Sequence, residues 1–222
     1  MNNSTRKIEW VVLGGLVVVI VAIVGAFAWS KMSPIKSLPV TGQLSDFNLT
    51  NQDGEHISLA SLRGHVWVAD VIFTRCAGPC PTMTHVMEQL QSSFPAAQPV
   101  RLVTLTSDPD YDTPPVLRKY AARFNADSNV WTFLTGPKPD IRKLEVNDFK
   151  FVVVEKGAQE QETPVDLFIH STWFVLVDQQ GRVRGWTDAD GHLHAYFDSL
   201  DPDTPRQILA AIKQLLREPA SS

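Results

Sequence analysis

Phe73-Thr74-Arg75-Cys76-Ala77-Gly78-Pro79-Cys80-Pro81-Thr82-Met83 holds both cysteines of a 222-residue chain, four positions apart. The run that leads into it, Val66 to Phe73, is apolar enough for a central strand buried on both faces. The segment that follows, Pro81 to Ser92, has helical character. Two thiols where a strand gives way to a helix N-terminus form either a reactive dithiol or a soft-metal site. Gly78 and Pro79 let the sulfurs converge in a turn, and the N–H groups and dipole of the helix start favour thiolate, lowering the thiol pKa. A structural zinc site needs about four ligands, usually as two pairs, and one pair of cysteines argues against it. Two sulfurs with one imidazole would suit copper, Cu(I) in particular.

Outward from this stretch the chain alternates between strand and helix signals. Upstream, Asp46 to Thr50 and His56 to Leu59 alternate in polarity across Asn51-Gln52-Asp53-Gly54, a hairpin with an Asp-Gly turn. Downstream, Val100 to Thr106 reads as a strand, and Thr113 with Pro114 starts a helix through Phe124. Val130 to Leu134 is a strand, Pro139 to Val146 a short helix, and Phe149 to Glu155 extended. Phe168 to Val177 and Arg182 to Trp186 flank Asp178-Gln179-Gln180-Gly181 as a hairpin, and Thr204-Pro205 caps a final helix to about Arg217. These elements predict an α/β domain over 43–218 with a mixed sheet. Their order is that of a thioredoxin-like fold with N-terminal and internal β-hairpin additions.

The N-terminus has a different composition. From Trp10 to Trp29 the chain carries no charge except in its flanks, where Arg6, Lys7, Lys31 and Lys36 lie. About 20 residues at ~1.5 Å rise cover ~30 Å, the thickness of a bilayer core. The reading is therefore a short cytoplasmic tail (1–9), one transmembrane helix (10–29) and a Ser/Pro/Lys linker (30–42), with the domain on the extracytoplasmic, periplasmic side. Ala26-Phe27-Ala28 resembles a signal-peptidase site, but the apolar run exceeds the usual ~7–15 residues of a secretory signal, which favours a retained anchor. No cysteine directly follows the span, which excludes a lipid-modified one. In an oxidising compartment two thiols persist only when paired, metal-bound or kept reduced by a partner, and a loop this short gains little from a disulfide.

Composition excludes one class of function. The 44% apolar content fills a core, and a net charge of −4 with scattered signs leaves no footprint for nucleic acid. Asp108-Pro109-Asp110-Tyr111-Asp112-Thr113 starts like a calcium loop. Its sixth position is Thr113 instead of Gly and its twelfth Lys119 instead of Glu, so it reads as a turn and helix cap.

Six histidines are candidates for a third ligand. His56 and His65 lie by the first hairpin, and His85 points off the stripe of Cys80, Met83, Thr84 and Met87, itself read as core. His192 and His194 alternate in Asp188-Ala189-Asp190-Gly191-His192-Leu193-His194, a metal-friendly pattern that exposed loops often show. His170 stands at the entry to an apolar strand, where a thioredoxin-like fold brings a loop against the two-cysteine turn.

Taken together, the chain resembles the Sco/SenC family of membrane-anchored copper proteins. The resemblance rests on Phe73-Thr74-x-Cys76-x-x-x-Cys80-Pro81, Ser107-Asp108-Pro109 with Asp112-Thr113-Pro114, Leu117, Tyr120, Trp131-x-Phe133-Leu134-Thr135-Gly136 and His170-Ser171, in family order from about residue 43 onward. It implies Cu(I)/Cu(II) binding by Cys76, Cys80 and His170. The implied role is delivery of copper to, or reduction of the cysteines of, the binuclear copper centre of cytochrome c oxidase. Implied partners are the copper-bearing oxidase subunit and a copper donor or thiol reductant protein. The family often has an acidic residue between its cysteines and Asp before the histidine; here Ala77-Gly78-Pro79 and Ile169 stand there, with Asp166 a possible substitute. The same dithiol also fits a membrane-anchored thiol-disulfide oxidoreductase in which Cys76 attacks and Cys80 resolves. A peroxidase has no independent feature in its favour.

Overall fold

The computed structural model describes residues 3–31, 37–95, 97–155 and 168–218. The chain divides into two units, 1–36 and 37–222. The first is one helix, α1 (Asn3–Lys31). Its side chains from Leu13 to Ala26 are exposed. Among the described residues no helix is long and apolar enough to cross a membrane. The expected transmembrane helix over 10–29 is therefore not confirmed. The linker expected over 30–42 falls partly outside the described residues.

The second unit contains strands β1 (Val40–Gln43), β2 (Asn48–Asn51), β3 (His56–Ser58), β4 (Val66–Ile72), β5 (Val100–Thr106), β6 (Trp131–Thr135), β7 (Val153–Glu155), β8 (Phe168–His170), β9 (Trp173–Val177), β10 (Arg182–Arg184), β11 (Trp186–Thr187), β12 (Leu193–His194) and β13 (Phe197–Asp198). Its helices are α2 (Leu59–Leu62), α3 (Cys80–Ser92), α4 (Pro114–Arg123), α5 (Lys138–Arg142) and α6 (Thr204–Leu215). The main sheet runs β1-β10-β9-β4-β5-β6-β2-β3, with β13 also on β9. β4, β5 and β6 are parallel; β9 and β10 on one side and β2 and β3 on the other pair antiparallel.

β4 occupies the centre because its sequence leaves no polar face to water. All seven of its residues are buried, and the two-residue period of a strand sorts them. Val66, Val68 and Ile72 pack with α3, α4 and α6 on one face, while Trp67, Ala69 and Val71 pack with α2, α5 and Phe149 on the other. Helices on both faces of a mixed sheet make the expected thioredoxin-like α/β arrangement. The hairpin across Asn51–Glu55 forms as expected; the one across Asp178–Gly181 forms with shorter strands, β9 and β10, because Phe168–His170 splits off to pair with β7 and Trp186 belongs to β11. Gly54 and Gly181 take positive φ at their turns, a conformation that costs a β-carbon-bearing residue more.

Three expectations are adjusted in detail. The short helix after Pro137 ends at Arg142 and continues as a π-helix, Lys143–Asp148, which buries Leu144. Thr113 precedes α4 without a side-chain cap bond. Thr204 begins α6 instead of capping it, and its hydroxyl donates to the Asp198 carbonyl.

Candidate functional site

The two-cysteine turn leaves the C-terminal end of β4. Phe73 is buried, the Cys76 N–H donates to the Phe73 carbonyl at 3.1 Å, and the Gly78 N–H points at Cys76 Sγ at 3.4 Å. Cys80 is the first residue of α3, preceded by Pro79. Cys76 is half-buried and Cys80 fully buried, and no disulfide joins them. Their side chains are hydrogen-bonded to each other, so the sulfurs converge as the Gly-Pro turn allows. Two sulfurs in contact, one reachable from solvent, form a soft donor pair suited to copper.

The thiol chemistry departs from the sequence argument. Cys80 has its pKa pushed far above the ordinary thiol range, first by burial, then by the hydrogen bond and charge of Cys76, with the Asp70 carboxylate adding to it. A backbone hydrogen bond involving Phe73 pulls the other way and does not compensate. At the first residue of α3, the loss of water outweighs the favourable field of the helix N-terminus.

The turn is held from the neighbouring strand. β5 runs parallel to β4, so both end on the same side of the sheet, and the loop after β5 lies beside the cysteines. Asp112, fully buried, accepts from the Thr74 N–H at 3.0 Å and from the hydroxyls of Thr74 and Thr106. Burial raises the Asp112 pKa despite these bonds. Arg75 meets Asp108 at 2.5 Å and lies over the Tyr111 ring at 4.0 Å. The Asp-Pro…Asp-Thr-Pro segment is thus a clamp on the cysteine turn as well as a turn and cap. Beneath α3, the Thr84 hydroxyl reaches the Cys80 carbonyl at 2.8 Å and Tyr120 Oη at 2.9 Å.

Asp70 was read from sequence only as one residue of an apolar strand. It is fully buried and close enough to raise the pKa of both Cys80 and Tyr120. A lone acidic residue inside a continuous apolar run was the signal that could have singled it out.

His170 ends β8, with its backbone opposite Val153 of β7; its side chain, like Asp166, lies outside the described residues. Two residues separate it from β9, whose Val175 pairs with Ala69 of β4. Ser171 ties this segment to Val152: its N–H donates to the Val152 carbonyl, and its Oγ accepts from the Val152 N–H, both at 3.0 Å. The remaining histidines lie elsewhere in the chain. His85 is exposed and pairs with Glu88, and His192 and His194 lie on the β11–β12 hairpin. Met83 and Met87 are buried in the core under α3, as expected.

A thioredoxin-like sheet with a cysteine pair after its central strand defines a class, and comparison with known proteins narrows it. The SCO1/SenC family pattern matches residues 39–202. The chain is 37% identical to the SCO1 protein homolog of Bacillus subtilis, over 74% of this chain and 82% of that protein. It superposes on BsSco, described as a member of the Sco family of cytochrome c oxidase assembly proteins, with a TM-score of 0.66 and 30% identity, covering 83% of this chain and 100% of that one. A Stutzerimonas stutzeri protein named for copper binding is 29% identical over 67% of this chain and 70% of its own length. The chain belongs to the SCO1/SenC family.

Proposed function

We propose that this chain is a membrane-anchored copper-binding protein of cytochrome c oxidase assembly. Cys76 and Cys80 hold the metal as thiolates and His170 supplies an imidazole. The observation that carries the reading is the contact between the Cys76 and Cys80 side chains in the turn from β4 to α3, clamped by Asp112 through Thr74. Preorganised sulfur donors favour Cu(I), and an added imidazole suits Cu(II). Copper supplies a soft cation that holds both thiolates deprotonated. Its binding displaces protons that burial otherwise keeps on Cys80. The chain's own contribution is to orient the two sulfurs and keep Cys80 away from water.

The anchor belongs to the same reading. α1 is unbroken over 29 residues, and its exposed valines, leucines and isoleucines are the kind of surface that lipid covers. The domain then stands on the extracytoplasmic side, facing the copper-bearing oxidase subunit. Copper titration of wild type beside Cys76→Ser and Cys80→Ser tests the site. One equivalent bound by wild type and lost by at least about tenfold in affinity in either variant is expected; unchanged binding in both contradicts it.

A second activity is favoured by the unequal exposure of the sulfurs. Half-exposed Cys76 can attack a target disulfide while buried Cys80 resolves the mixed disulfide. In that exchange the two thiols give up two electrons and two protons to become a disulfide, and the target disulfide becomes two thiols. Delivery and reduction are compatible, because a metal centre built from cysteines must be reduced before it is loaded. Reduction of a protein disulfide by the apo form in the presence of a chelator is the expected result; its absence leaves copper binding alone.

A further inference from the structure

The β11–β12 hairpin interrupts the strand opposite β9. β10 pairs with Leu176 and Val177, β13 with Trp173 and Phe174, and residues 185–196 make an excursion between them. The excursion borders an open cleft of about 480 Å³ whose lining includes Trp173, Trp186, His194, Tyr196, Asp198 and Asp201. Strand pairing builds its walls. Trp186 lies opposite His194 and stacks on it with ring centroids 4.3 Å apart. Trp173 lies opposite Asp198 and stacks on Tyr196 at 4.7 Å, nearly parallel at 7°. Trp186 packs against the core under α3, and Trp173 and Tyr196 against the core on the other face of the sheet. All three rings remain partly exposed. Rings seated in this way lose little freedom when a ligand covers them.

The charge of the cleft selects the sign of its ligand. Aromatic faces are negative, Asp198 and Asp201 add carboxylates, and no lysine or arginine belongs to the lining. Arg206 pairs with Asp203, and Asp201 adds only a lesser attraction to it. The Leu200 N–H and the Thr172 hydroxyl both donate to Asp198 Oδ1, at 3.0 and 3.3 Å. Among the described residues that leaves Asp198 Oδ2 open to a cation. Leu193 of the lining and Leu200, between the two aspartates in sequence, are exposed. Apolar side chains rimmed by polar ones in this way mark protein contacts.

We propose that this cleft is a docking site for a protein partner that presents an arginine beside an apolar residue on an extended segment. A guanidinium is planar, so it stacks on an aromatic face and pairs with a carboxylate at once, which a lysine ammonium does less well. The arginine lies on the aromatic wall against Asp198, and its apolar neighbour covers Leu193. A small-molecule site buries most of its ligand; this open cleft instead suits a stretch of a larger chain. Trp173 is the third residue after His170, but the cleft needs no metal, so the inference stands apart from the copper reading.

The test uses the metal-free, full-length chain in non-ionic detergent, with its six tryptophans replaced by fluorotryptophan and followed by fluorine NMR. Trp173→Phe and Trp186→Phe assign the two cleft resonances. The ligand is a blocked peptide, Gly-Ser-Leu-Arg-Leu-Ser-Gly, titrated beside the same peptide with citrulline, an uncharged isostere, in place of arginine. Saturable shifts of the Trp173 and Trp186 resonances are expected, with the buried Trp67 and Trp131 unmoved. The citrulline peptide should bind at least about fivefold more weakly. Asp198→Asn with Asp201→Asn should weaken the arginine peptide by a similar factor and leave the citrulline peptide unchanged, which a merely disturbed cleft would not do. The citrulline comparison leaves the protein untouched and so covers the case in which the double variant disturbs the fold. Equal affinity for the two peptides, or no saturable shift, overturns the proposal. So do cleft resonances that move with protein concentration in the absence of peptide, since a second copy of the chain would then fill the cleft.

Discussion

Thr74 and Asp112 show how much of the site depends on single residues far apart in the chain. Asp112→Ala would leave the Thr74 N–H and the Thr106 hydroxyl without their buried acceptor. An unsatisfied buried donor costs about 1–3 kcal/mol, so chemical denaturation should show a loss of that order together with weaker copper binding. At the cysteines, Cys76 should be alkylated by iodoacetamide well before Cys80, as mass spectrometry of the native protein would show, because only Cys76 is reachable from solvent. Asp70→Asn should lower the thiol pKa read from thiolate ultraviolet absorbance, since Asp70 acts to raise Cys80. The cysteine spacing and the Gly-Pro insert were enough to foresee that the sulfurs meet. The direction of the Cys80 shift was not legible, because spacing reveals a helix start but not the depth at which it is buried. The role of Asp112 was hidden for a related reason: it depends on two parallel strands ending side by side, a contact between residues 38 apart in sequence.

Among the elements, β4 and α3 were the most legible, because an uninterrupted apolar run and a helical stripe each state their own burial. The stripe formed by Cys80, Met83, Met87 and Leu90 seats α3 on the sheet. Removing a buried side chain there leaves a cavity, so Met87→Ala should cost about 2–5 kcal/mol in denaturation experiments and loosen the helix that carries Cys80. The β11–β12 excursion was less legible: Trp186 looked like the end of a hairpin strand, whereas Gly185 turns the chain out of it. A β-carbon at Gly185 would come within 2.5 Å of the His194 carbonyl and 2.9 Å of Thr41, which is why this position needs glycine. The π-helix after α5 carries no periodic signal that separates it from an α-helix over so few residues.

The whole domain is closed by one buried cation. Arg184 is 1% exposed and reaches Asp178 at 2.8 Å, Glu218 at 2.6 Å and the Leu38 carbonyl at 2.6 Å. It thereby fastens the entry of the domain at Leu38 to Glu218, just past the end of α6. Removing one member of such a buried set strands its partners and costs roughly 3–5 kcal/mol, so Arg184→Ala should lower the thermal midpoint markedly. Burial works to raise the Asp178 pKa, but the Arg182 backbone N–H and the guanidinium groups of Arg184 and Arg182 outweigh it, and the net shift is downward. A carboxylate with a depressed folded pKa contributes stability above its unfolded pKa of about 3.9 and loses it as pH falls through the folded value. Thermal stability should therefore hold down to about pH 4 and fall below it, with less of a fall in an Asp178→Asn variant.

The proposed copper site draws three ligands from two parts of the molecule, the Cys76–Cys80 turn after β4 and His170 at the end of β8. X-ray absorption of copper-loaded wild type beside His170→Ala tests that union most directly. Two sulfur neighbours and one nitrogen neighbour in wild type, with that nitrogen lost and Cu(II) binding weakened in the variant, are predicted. An unchanged nitrogen shell and unchanged Cu(II) affinity in His170→Ala would contradict it.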